Sequence, residues 1–160
     1  SDGSVITIKA GESVGSVVVD TPPNDVYVNG STVSTTITGA TGGNFENLVP
    51  NTTPAVTTIT DSIDTTTVTL TAPSEANEGG QITYTATLSN KAGTDVTLKL
   101  DNGSSITIKA GDTVGTVTVP APSDDVFIDK STQTVKITDT AGGNFEKLEV
   151  AGDGATTTIN

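Results

Sequence analysis

Residues 6–11 read Ile-Thr-Ile-Lys-Ala-Gly, and the same six residues recur at positions 106–111. A second segment, Gly-Gly-Asn-Phe-Glu, recurs at the same distance, at residues 42–46 and 142–146. When they are aligned without a gap, the first and last 60 residues of the chain are identical at 29 positions, so the repeat is 100 residues long. A period of this length is too long for a solenoid unit and fits one β-sandwich module.

The repeat divides the chain into unequal parts. Residues 1–60 correspond to the last three-fifths of one module, residues 61–64 form a linker, and residues 65–160 form a complete module. The first copy contains no counterpart of residues 65–100. We expect its completing strands to come from an upstream segment, from another chain by strand complementation, or not at all.

Alternation of apolar and polar residues indicates that the complete copy is built from strands. Threonine is common, and β-branched side chains favour pleated strands. Clusters of Gly, Asn and Asp separate the alternating segments and predict turns. Seven short strands are predicted, at residues 68–72, 82–88, 96–100, 106–108, 117–119, 135–137 and 157–159. The predicted fold is therefore all-β, with immunoglobulin-like β-sandwich modules in tandem.

Strand direction assigns each loop to one end of the module. If the strands simply alternate, loops 89–95, 109–113 and 139–147 share the end that faces the linker. Loops 73–80 and 120–131 then lie at the opposite end. Residues 142–146 are interpreted as a turn whose Phe145 anchors the loop in the core, with Glu146 as an alternative cation ligand.

Composition excludes several classes of function. The chain has no Cys and no His, so the usual catalytic nucleophile–base pairs and zinc sites of the thiolate–imidazole type cannot form, and we do not expect an enzyme. A net charge of −12 disfavours nucleic acid as a partner. No apolar run approaches the ~20 residues of a transmembrane helix, so no transmembrane segment is expected.

Acidic residues collect at both predicted ends of the module, and carboxylate oxygens are the ligands that calcium prefers. The candidate ligands around the linker are Asp61, Asp64, Asp20, Asn24, Asp25, Asp95 and Asp139. The candidate ligands at the opposite end are Glu75, Glu78, Asp124 and Asp125. Because no EF-hand loop is present, the alternative is that these are ordinary solvated turn residues.

A resemblance to a known family rests on five segments. They are Thr-Val-Thr-Leu-Thr-Ala at 67–72, Glu-Gly-Gly at 78–80, Tyr-Thr-Ala-Thr-Leu at 84–88, Ala-Pro-Ser-Asp-Asp-Val at 121–126 and Gly-Gly-Asn-Phe-Glu at 142–146. With these segments, essentially the whole chain resembles the extender repeats of giant RTX adhesins, the large adhesion proteins that type I systems export in Gram-negative bacteria.

The resemblance implies immunoglobulin-like modules in long arrays at the bacterial cell surface, with neighbouring repeats as partners and calcium at the module junctions. The leading interpretation is therefore a structural spacer in a cell-surface or biofilm adhesin. The alternative is a module that binds a carbohydrate or a host surface. Sugar sites usually offer an aromatic platform, and the chain has only two Tyr and three Phe. Tyr27 aligns with Phe127 in the repeat, which indicates packing rather than recognition.

Overall fold

The computed structural model of the chain describes residues 1–123 and 130–160. Within this part of the chain, every regular element is a β-strand. None of these residues forms a helix of the length and apolar character needed to cross a membrane. The chain forms two compact units: Ser1–Asn24 with Asn29–Ser62, and Asp25–Val28 with Ile63–Asn160.

The strands are numbered in chain order. The first unit contains β1 (Ser31–Thr35) and β2 (Ala55–Ile59). The second unit contains β3 (Thr65–Thr71), β4 (Glu75–Ala76), β5 (Gln81–Leu88), β6 (Val96–Leu100), β7 (Ser105–Ile108), β8 (Val114–Pro120), β9 (Ser131–Val135), β10 (Ile137–Gly142), β11 (Lys147–Ala151) and β12 (Ala155–Ile159).

The described residues of the second unit form three sheets, with the strand orders β11-β3-β5-β8, β10-β6-β7 and β4-β12-β9. β11 runs parallel to β3 and β12 runs parallel to β4, whereas the other neighbours are antiparallel. The sheets enclose one hydrophobic core in a sandwich-like arrangement. The predicted all-β sandwich class is therefore confirmed.

The core follows from the period of two along each strand. In β5, Ile82, Tyr84, Ala86 and Leu88 are buried, and the residues between them are exposed or half-buried. Successive side chains of a strand point to opposite faces, so this alternation places one face of β5 in the core. Each large apolar side chain that is fully buried contributes about 1.5–3 kcal/mol to folding.

Two buried threonines keep their hydroxyl groups paired. The Thr66 hydroxyl accepts a hydrogen bond from the Asn90 side-chain amide at 3.1 Å. The Thr157 hydroxyl donates to the carbonyl oxygen of Pro73 at 2.8 Å. Pairing matters because a buried polar group without a partner costs stability.

The predicted strand at 135–137 is in fact two strands that belong to different sheets. β9 ends at Val135 and pairs with β12, whereas β10 begins at Ile137 and pairs with β6. Asp101 holds the crossing point, because its N–H donates to the Lys136 carbonyl and its carboxylate accepts from the Lys136 N–H, both at 3.0 Å. The connection predicted as a loop at 139–147 is consequently shorter, with β10 extending to Gly142 and β11 beginning at Lys147.

The first unit has a different character although its sequence repeats that of the second. Its two strands pair with each other, from Ser31 with Ile59 to Thr35 with Ala55. Ile6 and Ile8 are 54% and 56% exposed, whereas Ile106 and Ile108 are fully buried. The difference has a simple cause: the first unit contains no counterparts of β3 to β6, which cover the equivalent side chains in the second.

The local backbone geometry around one glycine is nevertheless the same in both copies. A Cβ on Gly15 would lie 2.6 Å from the Thr7 carbonyl oxygen, and a Cβ on Gly115 would lie 2.6 Å from the Thr107 carbonyl oxygen. The glycine therefore permits the same close approach in both copies.

Candidate functional site

Three loops of the second unit meet at one end. The Ala92 N–H donates to the Asp112 carbonyl at 3.0 Å, and the Gly111 N–H donates to the Ala92 carbonyl at 2.7 Å. The Gly93 N–H donates to the Gly143 carbonyl at 2.9 Å. These bonds confirm the prediction that loops 89–95, 109–113 and 139–147 share an end of the module.

Asp95 lies in this group of loops and is paired with a lysine. Its carboxylate accepts a hydrogen bond from Lys109 Nζ at 2.8 Å and another from the Ala110 N–H at 2.9 Å. Both hydrogen bonds lower the pKa of Asp95 below its ordinary value, and the bond from Lys109 has the larger effect. The same pairing raises the pKa of Lys109.

Asp139 is also close to a lysine, since Lys99 Nζ lies 3.6 Å from its Oδ2. Its Oδ1 accepts from the Thr140 N–H at 3.0 Å. The sequence pattern did not predict that Asp95 and Asp139 each have a lysine partner. They become visible once β6 is placed between β7 and β10, because Lys99 and Asp139 are then in register.

The two linker aspartates fall in different units, and each is described within its own. In the first unit, Asp61 Oδ2 accepts from the backbone N–H groups of Asn29 and Gly30, at 2.9 and 2.8 Å. In the second unit, the Asp64 N–H donates to Glu146 Oε2 at 2.6 Å. Glu146, predicted as a turn residue or ligand, therefore fixes the backbone at Asp64 in the second unit.

The other predicted ligands are distributed. In the first unit, Asn24 Oδ1 accepts from the Ser62 hydroxyl at 2.7 Å, and the side chain of Asp20 is exposed. Glu75 lies in β4 opposite Thr158, and the Glu78 N–H donates to the Asn160 carbonyl at 3.0 Å. Asp124 and Asp125 lie outside the described residues.

The donor chemistry suits calcium, but the described carboxylates are dispersed. No three Asp or Glu side chains in residues 1–123 and 130–160 are grouped so that they could hold one metal ion. Lysine pairing at Asp95 and Asp139 also provides a positive charge that an ion would otherwise supply. The calcium site therefore stays a prediction.

Two aromatic side chains of the second unit are in direct contact. The rings of Tyr27 and Phe145 stack with their centroids 6.0 Å apart and their planes inclined by 19°. Phe145 is half-buried and packs against the core, which confirms its role as the anchor of the turn. Tyr27 packs as its repeat position indicated, but its partner could not be found from the sequence, because the two residues are 118 positions apart.

Comparison with models of known families gives the same match twice. The LapA domain matches residues 1–62 and again residues 64–160. A comparison with curated proteins gives no match.

Proposed function

Because this chain belongs to the LapA domain family, whose members are adhesion-related, we propose that it serves as a spacer in a bacterial cell-surface adhesin of the RTX type. The observation that supports this role is the tandem arrangement: two copies follow one another with a period of 100 residues. Repeated modules of one kind suit a spacer role better than a catalytic role, because each module adds the same length to the array.

The strands set the length that a module contributes. β3 and β8 each contain seven residues, and at ~3.3 Å per residue such a strand spans about 23 Å. With the loops at both ends, one module contributes roughly 40 Å. An array of such modules would hold a distal binding region far from a Gram-negative cell surface.

Calcium binding at the linker is the second part of the proposal. A chain with a net charge of −12 repels itself, and a divalent cation bound by Asp61 and Asp64 would reduce this repulsion. Both aspartates would supply carboxylate oxygens, which are the ligands that calcium prefers. Bound calcium would stiffen the linker, so that the array resists bending.

Thermal unfolding and small-angle X-ray scattering of residues 1–160, with calcium and with excess EDTA, test this proposal. We expect calcium to raise Tm and to increase the maximum dimension of the particle. The double variant Asp61→Asn/Asp64→Asn should lose both effects. Glu12→Gln/Asp153→Asn is the matched control, since it also removes two exposed carboxylates, both far from the linker in sequence. Equal Tm and equal dimensions in calcium and EDTA would overturn the calcium part.

A further inference from the structure

The segment Asp25–Val28, here called the docking segment, has the sequence of the first repeat but belongs to the compact unit of the second. Val26 and Tyr27 are half-buried, whereas the residues from 20 to 24 are exposed. The chain therefore enters the second unit for four residues before it returns to the first. Such an excursion needs specific contacts, because ordering four residues costs conformational entropy.

Backbone hydrogen bonds fix the register of the docking segment. The Val28 N–H donates to the Asn144 carbonyl at 3.1 Å, and the Glu146 N–H donates to the Val26 carbonyl at 3.0 Å. Tyr27 and Phe145 thereby form an antiparallel bridge. The segment is added to the module as a short strand, a mode of binding in which main-chain bonds give affinity and side chains give specificity.

Tyr27 supplies the specificity. Its ring stacks on Phe145, and its hydroxyl donates to the Lys91 carbonyl at 2.8 Å. A Cβ on Gly93 would lie 3.1 Å from Cδ1 and Cε1 of Tyr27, so the absence of a side chain at residue 93 leaves room for the ring. Two loops of the module, one with Lys91 and Gly93 and one with Phe145, thus receive a single aromatic side chain.

The receiving turn is present in both repeats. Residues 42–44 have φ angles of 85°, 81° and 53°, and residues 142–144 have 86°, 88° and 54°. Phe45 of the first turn is 66% exposed, whereas Phe145 is half-buried. The turn therefore adopts the same backbone conformation in both repeats, although its aromatic ring is much more exposed in the first.

The docking segment is repeated as well. Asp-Val-Tyr-Val at residues 25–28 corresponds to Asp-Val-Phe-Ile at 125–128, which lie outside the described residues. Both have an acidic residue, then Val, an aromatic and a β-branched residue. Asp25 orders its own segment, because its Oδ1 accepts from the Tyr27 N–H at 2.8 Å.

From these contacts we propose that the Gly-Gly-Asn-Phe turn of each repeat is a docking site for the Asp-Val-aromatic segment of the repeat before it. Consecutive repeats are then joined by this segment as well as by the linker. The contact contains two backbone hydrogen bonds, one aromatic stack and one hydroxyl bond, and none of these needs a cation. The proposal rests on the proposed spacer function only in treating the repeats as neighbours in an array.

Hydrogen exchange measured by NMR on residues 1–160 in excess EDTA tests the docking. In the wild type, the amides of Val28 and Glu146 should be protected. Tyr27→Ala should accelerate both by about tenfold, since it removes an aromatic stack and weakens two hydrogen bonds. The amide of Tyr84 in the core should keep its protection. Tyr27→Phe, which retains the ring and loses only the hydroxyl bond to Lys91, should accelerate both by only about twofold. Val18→Ala, at a side chain that is 91% exposed, is the control and should leave both amides as protected as in the wild type.

Rescue by a peptide tests whether the turn recognises the segment itself. We expect the peptide Pro-Asn-Asp-Val-Tyr-Val-Asn-Gly, the sequence of residues 23–30, to shift the Phe145 and Glu146 signals of the Tyr27→Ala chain and to restore protection at Glu146. The same peptide with Ala in place of Tyr should do neither. Unchanged exchange in Tyr27→Ala, or a peptide without effect, would overturn the docking site. Because EDTA is present throughout, failure of calcium binding cannot produce either result.

Discussion

Gly143 lies so close to the ring of Phe145 that a Cβ on residue 143 would be 2.5 Å from Cε2. Its φ angle of +88° is also one that residues with a side chain rarely adopt. Both constraints follow from the turn that positions Phe145 for Tyr27. The glycine is therefore required by the close approach of the Phe145 ring as well as by the backbone conformation.

Gly143→Ala should consequently destabilise the second unit by about 2–4 kcal/mol, which combines backbone strain with a steric clash. Gly111→Ala is the matched control, because Gly111 has a φ of +87° and no atom within 4 Å of the added Cβ. Gly111→Ala should reduce the free energy of unfolding only by the backbone strain, about 1–2 kcal/mol. Urea denaturation followed by circular dichroism measures both. Equal losses in the two variants would show that the contact with Phe145 is irrelevant.

Ile8 and Ile108 occupy equivalent repeat positions with opposite burial, 56% exposed and fully buried. Ile108→Ala should reduce the free energy of unfolding of the second unit by about 2–5 kcal/mol, because it leaves a cavity in the core. Ile8→Ala should change stability by less than about 0.5 kcal/mol. Urea denaturation of residues 1–160 compares the pair. A large loss in Ile8→Ala would mean that the first unit buries this side chain in solution.

The same pair shows how far the sequence predicts the structure. Alternation identified Ile106 and Ile108 as core residues, and they are buried. It could not distinguish them from Ile6 and Ile8, because burial depends on strands from another part of the chain. The division between β9 and β10 was missed for a related reason: Lys136 is held by Asp101, 35 residues away, and no local pattern encodes that bond.

The candidate site was predictable to a similar degree. Strand direction alone brought together the loops that contain Asp95, Lys109 and Gly143. Which side chains pair within those loops depends on register, so the lysine partners of the acidic residues and the contact between Tyr27 and Phe145 were not foreseen. The predicted ligands were chosen because their side chains carry oxygen atoms and lie in loops, and neither property specifies their partners.

The Asp95–Lys109 pair predicts a defined pH dependence. The folded-state pKa of Asp95 is lowered, so the pair stabilises the folded chain above the unfolded value of about 3.9, and this contribution is lost as pH falls through the folded-state pKa. The pKa of Lys109 is raised, so the contribution is present below the unfolded value of about 10.4 and is lost as pH rises through the folded-state pKa. The effect on stability should be small, because both side chains are exposed.

NMR titration of the Asp95 carboxyl carbon measures this directly. Lys109→Met should raise the pKa of Asp95 toward its ordinary value of 3.8, although the Ala110 N–H still lowers it. Lys99→Met removes the lysine beside Asp139 and should leave the titration of Asp95 unchanged. An Asp95 titration that is the same with and without Lys109 would contradict the pairing.

Removing the hydroxyl group should affect the stability of the second unit differently at Tyr84 and at Tyr27. The Tyr84 side chain is fully buried, and among the described residues its hydroxyl has no hydrogen-bond partner. Tyr84→Phe should therefore be neutral or stabilise the second unit by up to about 1 kcal/mol, because an unpaired polar group leaves the core. Tyr27→Phe should cost about 0.5 kcal/mol, since its exposed bond to the Lys91 carbonyl is replaced in part by water.

The two variants should also differ in how their stability changes at alkaline pH. Burial, and then the charge of Asp101, raise the pKa of Tyr84. Neutral Tyr84 is thus compatible with folding below the unfolded pKa of about 10, and stability falls as pH rises from there through the folded-state pKa. Tyr84→Phe should remove this fall, whereas Tyr27→Phe should retain it. Urea denaturation at neutral and alkaline pH gives the comparison, and an identical alkaline loss in wild type and Tyr84→Phe would mean that Tyr84 is solvated in the folded chain.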